Sequence, residues 1–146
     1  MPATALKPKS QPDSERQQIL DKLGDLSHVK IAQNEFLMAI YVRSNRSPSG
    51  LYLTDKTVKE DVYQGKVGLV VKISDHCLFQ RVDPKTGATY GIPVKLYDWI
   101  VVKPSDGLAM DVNADPKVLK RDDFVTCRLM YDDMVRMVID NPNTVW

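Results

Sequence analysis

Phe36-Leu37-Met38-Ala39-Ile40-Tyr41-Val42-Arg43 and Lys66-Val67-Gly68-Leu69-Val70-Val71-Lys72-Ile73 decide the fold. Both are mostly apolar, rich in β-branched and aromatic residues, and of strand length, so each reads as a buried strand. Trp99-Ile100-Val101-Val102-Lys103 is a third, ended by Pro104 and the Asp106-Gly107 turn pair. Asp83-Pro84-Lys85-Thr86-Gly87 is turn chemistry between two shorter extended pieces, 77–82 and 88–92, which predicts a hairpin. Residues 124–130 and 134–139 form the last strand pair, joined by Tyr131-Asp132-Asp133. Short strands with Gly and Pro punctuation, and no helical pattern after residue 35, predict an all-β fold, a small barrel or sandwich.

Upstream the composition changes. Residues 1–13 hold three of the nine prolines and little that can be buried, so they read as an extended arm. Ser14 and Gln17 fit a capping box. Ile19, Leu20, Leu23 and Leu26 then recur at helical spacing, predicting a short amphipathic helix weakened by Gly24 and dependent on docking. The expected organisation is an arm and helix over 1–34 and a β domain over 35–146.

Lys and Arg number 20 against 19 Asp and Glu, a formal charge of +1, which lacks the basic excess of a general nucleic-acid binder. The longest apolar run, 36–42, is seven residues, against the roughly 20 needed to span a bilayer. The opening MPATALKPKS has no apolar core of the kind a secretory signal carries. No membrane partner is expected, and an intracellular or virion location is.

Little in the chain promises catalysis. On a strand, His76 and Cys77 would point to opposite faces, and no second His/Cys cluster supplies zinc ligands. Without a secretory signal, Cys77 and Cys127 read as free thiols. Asp122-Asp123 and Asp132-Asp133 lie between strands and read as solvated loop carboxylates with nothing beside them to raise a pKa. Lys117, Lys120 and Arg121 are bracketed by Asp115, Asp122 and Asp123, as in a charge-mixed loop. No phosphate-binding, zinc-protease or nucleophile-elbow motif occurs. The expectation is a protein that is not an enzyme, with no catalytic residues, no metal and no cofactor.

The stretch 44–57 stands out. Ser44-Asn45-Arg46-Ser47-Pro48-Ser49-Gly50 is polar and breaking, yet it leads into Leu51-Tyr52-Leu53. Two readings fit. The tripeptide is a short edge strand packed on the domain, or it is an anchor that orders on entering a partner's apolar groove.

Taken in order, these segments resemble the GroES-type co-chaperonins, and most closely the divergent phage-encoded GroES-like proteins. Residues 36–43 resemble the family's first barrel strand, followed by its polar mobile loop. Ser49-Gly50-Leu51-Tyr52-Leu53 resembles the loop's glycine-plus-apolar anchor, and Gln64-Gly65-Lys66-Val67-Gly68-Leu69-Val70-Val71 is similar to its Gly-x-Val strand. Val94-Lys95-Leu96-Tyr97-Asp98-Trp99-Ile100-Val101-Val102 resembles its Val-Gly-Asp-x-Val segment. Residues 125–139 resemble the closing segment, whose last strand pairs with the next subunit. The resemblance covers about 35–140.

It implies a GroES-like β-barrel, a ring-forming homo-oligomer, and a cap on a GroEL-type chaperonin that assists protein folding in the host cytoplasm. Gly50, Leu51, Tyr52 and Leu53 would bind the partner, 74–92 would be the roof hairpin, and ATP would be the chaperonin's affair. Tyr97 departs from the pattern, standing where the family usually has Gly; 1–34 and the longer 108–123 are additions. The second use implied is a phage virion structural protein, capsid-associated or a cement or decoration protein. There the barrel is reused and the arm binds the capsid protein.

Overall fold

The computed structural model describes residues 11–42 and 65–145. Its elements are α1 (Gln11–Leu23), β1 (Glu35–Ile40), β2 (Val67–Ile73), β3 (Gln80–Val82), β4 (Thr89–Gly91), β5 (Trp99–Val101), β6 (Leu108–Val112), β7 (Val125–Tyr131) and β8 (Met137–Ile139). Short 3-10 turns occupy Arg121–Asp123 and Asp132–Met134. The fold is predominantly β with one helix, as expected.

Six strands form one sheet in the order β6-β7-β1-β2-β5-β8, every neighbouring pair antiparallel, and β3 and β4 pair separately as a hairpin. The six-stranded sheet is open: β6 and β8 lie at its two ends and do not pair with each other. The expected closed barrel is therefore corrected, among the described residues, to an open sheet with a hairpin beside it.

The central strands are buried on both faces, which explains why their apolar runs are continuous rather than alternating. Leu37, Ala39, Val67, Leu69, Trp99, Val101 and Cys127 belong to one core, with α1 and the segment after it laid over them through Leu23 and Leu26. Phe36, Met38, Ile40, Val70, Ile100 and Met130 form the other core, covered by Cys77, Phe79, Val94 and the 134–135 segment. Leu37 faces Lys72 and Met38 faces Val70, so Val71 is the extra residue of a β-bulge.

The helix begins at Gln11, before the expected cap, so Ser14 is an interior helical residue, and Gln17 donates to Asp21 rather than closing a capping box. Gly24 ends the helix. At φ +83° it takes the left-handed conformation of a C-cap, and its N–H donates to Leu20 O at 3.0 Å. Docking is specific: Arg16 donates to Tyr97 O at 3.0 Å, stands 5.9 Å from the Trp99 ring centre, and pairs with Asp13. Ala114 N–H donates to Leu23 O at 2.8 Å, tying the segment after β6 to the helix end.

Strand β6 forms within 108–123, the segment that the resemblance implies is a lengthened loop. Its five residues are exposed or half-buried and include no β-branched residue before Val112.

Gly68 sits under the fully buried Met38. A Cβ there would collide with the Met38 side chain and lie 2.8 Å from Ala39 O. Gly68→Ala is expected to lower stability by about 1–3 kcal/mol, the usual cost of overpacking. Urea unfolding checks this, the shift appearing in the midpoint rather than the slope.

Candidate interaction surfaces

The predicted partner-binding residues Gly50, Leu51, Tyr52 and Leu53 lie outside the described residues; the strands that bracket them do not. Ile40 faces Gly68 in register, and Tyr41 N–H donates to Val67 O at 2.9 Å. Residues 43–64 therefore connect two adjacent antiparallel strands, leaving and re-entering the sheet side by side. That stem is fixed. The buried Tyr41 ring meets Trp99 edge-on at 5.5 Å, its hydroxyl donates to Asn143 at 2.8 Å, and Val102 N–H donates to Lys66 O at 2.8 Å.

The β3–β4 hairpin presents Leu78, Val82, Tyr90 and Ile92 to solvent, Leu78 and Val82 each 62% exposed. A two-stranded hairpin is marginal alone, so something must fix it to the sheet. Asp132 does so. Its carboxylate accepts from Leu78 N–H at 2.8 Å, from Arg81 at 2.7 Å and from Asn34 at 3.2 Å. Its own N–H donates to Asn34 O at 3.1 Å. The expectation of a solvated Asp132 is corrected: its side chain is 1% exposed, while Arg81 is 39% exposed. No local pattern signals this, because the three partners come from distant segments. A groove of about 420 Å³ runs beneath the hairpin, lined by Phe79, Tyr90, Ile92, Asp132 and Arg136 among others.

A cleft of about 510 Å³ lies over β6 and β7 between the 104–107 turn and the 121–124 segment. It mixes Asp106, Asp111, Asp122, Arg121 and Arg128 with Phe124 and Met110. Arg121 pairs with Asp111 at 3.1 Å, and Thr126 donates to the same carboxylate at 3.0 Å. Arg128 is buried there, which draws its pKa down against the opposing pull of Asp106. Lys117, Lys120 and Arg121 are exposed, as in the charge-mixed loop expected.

Both cysteines are free thiols, and they belong to opposite cores of the sheet. His76 and Cys77 lie in a turn rather than on a strand; His76 is exposed, and the half-buried Cys77 thiol donates to Glu35 O at 3.1 Å. Burial pushes the Cys77 thiol up, and pushes Cys127, fully enclosed in β7, up to about 12. A raised folded-state pKa means that the folded chain holds its proton longer than the unfolded chain. Stability from Cys127 is thus complete below the ordinary thiol value of 9.0 and is lost as pH rises toward about 12. Stability is expected to fall by about 1.4 kcal/mol per pH unit across that window. Cys127→Ala should flatten the alkaline limb in denaturant titrations at stepped pH.

Among the described residues no group of three His, Cys, Asp or Glu could hold a metal ion, and no helix is long and apolar enough to cross a membrane.

Neither the scan against protein-family models nor the search of curated proteins finds a match to this chain.

Proposed function

We propose that this chain is a co-chaperonin-like subunit of a GroES-like kind. It is a non-catalytic, ring-forming cap that binds a GroEL-type chaperonin through Gly50, Leu51, Tyr52 and Leu53 and assists protein folding. The observation that carries the reading is the stem. Residues 43–64 spring from two neighbouring strand ends locked by Tyr41 and Val67, with the Leu-Tyr-Leu anchor midway along the connection. A rigid base presenting a polar connection with an apolar centre suits an anchor that orders in a partner's groove. Each anchor binds weakly on its own, so several on one ring would act together.

Two details support the family reading. Tyr97 departs from the family's usual Gly, yet its φ of +72° is the left-handed conformation that glycine takes most easily. Strand β8, the counterpart of the family's pairing strand, has Met137 and Val138 exposed and an outer edge unpaired among the described residues.

The virion reading gives the leading contact to residues 1–34. Leu23 and Leu26 are instead spent inside the chain's own core, which leaves that role to the residues before the helix. The test is chaperonin-assisted refolding. The full chain should raise the ATP-dependent yield of a denatured client over chaperonin alone. An unchanged yield across a wide excess of the chain would contradict the reading.

A further inference from the structure

We infer that the outer edge of β6 is a self-association surface, on which a second copy of this chain adds its own β6 antiparallel about a two-fold axis at Met110. This surface lies at the opposite end of the sheet from β8 and does not depend on the chaperonin reading.

Natural edge strands are normally blunted by a lysine, a proline, a bulge or brevity. β6 has none of these, and its one charge, Asp111, is already held by Arg121 and Thr126. It runs five residues without Lys or Pro, its register with β7 is unbroken from Leu108–Leu129 to Val112–Val125, and nothing among the described residues pairs with its outer side. β8, by contrast, has three residues and is followed closely by Pro142.

The side chains of β6 are also self-complementary. Leu108, Met110 and Val112 share the face of Leu129, Cys127 and Val125, while Ala109 and Asp111 share the face of Arg128 and Thr126. With the axis at Met110, Leu108 stands opposite Val112 of the second copy and Met110 opposite its counterpart. Ala109 then stands opposite Asp111. Every pair on one face is apolar, Leu108, 62% exposed in the single chain, is covered, and no carboxylate opposes a carboxylate. Moving the axis to Asp111 would set the two Asp111 carboxylates against each other. Moving it to Ala109 would leave Val112 unpaired and bring Asp111 onto the turn at Gly107. The sequence of the edge therefore selects one register.

The test is covalent capture in the full chain with Cys77→Ser and Cys127→Ala. Leu108→Cys plus Val112→Cys should give a disulfide-linked pair of chains under diamide. Either single variant should give none, because like positions then lie about 13 Å apart, beyond disulfide reach. In the otherwise unaltered chain, Leu108→Lys, an exposed change, should halve the sedimentation mass at concentrations where the parent is paired. No linked chain from the double variant, equal linking by the single variants, or a mass that Leu108→Lys leaves unchanged would overturn the assignment. So would a monomer in which the β6 amides that point away from β7 resist hydrogen exchange, since the chain itself would then cover the edge.

Discussion

Replacing Leu51 and Leu53 together by Asp is expected to abolish binding to a chaperonin ring while leaving the sheet folded. Burial of each leucine contributes about 1.5–3 kcal/mol, so losing both weakens one contact by about a thousand-fold. A ring multiplies that loss over all its loops. The far-ultraviolet circular dichroism and the thermal midpoint should stay those of the parent, because the stem residues Tyr41, Val67 and Trp99 are untouched. A double variant that still pellets with the chaperonin would show that the anchor lies elsewhere.

The second large effect belongs to Asp132. Asp132→Ala removes the acceptor of three hydrogen bonds and leaves the Leu78 N–H without its partner. Hydrogen bonds to a buried charge are among the stronger ones, and the expected loss is about 3 kcal/mol. That lowers Tm by about 10 °C in a chain of this size. Because Arg81 is 39% exposed, water can replace its lost partner. Arg81→Ala should therefore cost much less in the Asp132→Ala background than in the parent, and calorimetry of the four proteins closes the cycle. Equal costs in both backgrounds would mean that the pair does not hold the hairpin.

Asp132 also marks the limit of what the chain discloses unaided. Strands β1, β2 and β5 announce themselves because burial on both faces demands mostly apolar runs, while β7 keeps Val125, Cys127 and Met130 buried around Thr126 and Arg128. The hairpin announces itself through the chemistry of its turn, Asp83 to Gly87, where Gly87 N–H donates to Asp83 O at 2.8 Å. β6 does not, because an edge strand exposed at Leu108 and Ala109 needs neither alternation nor β-branching. The helix starts ahead of the cap pattern that Ser14 and Gln17 match, because Gln11–Leu23 does not use that pattern. Asp132 is invisible locally, since what buries it arrives from Asn34, Leu78 and Arg81. For the candidate site, the stem was implied by two strong strands; the anchor residues themselves rest on composition and resemblance.

Sedimentation of the full chain with a double-ring chaperonin tests the central proposal most directly. The mixture is spun without nucleotide, with ADP and with ATP. A co-chaperonin-like cap predicts that the chain moves with the chaperonin only when nucleotide is present, and alone sediments as an oligomer. A chain that stays apart from the chaperonin under every nucleotide would contradict that account.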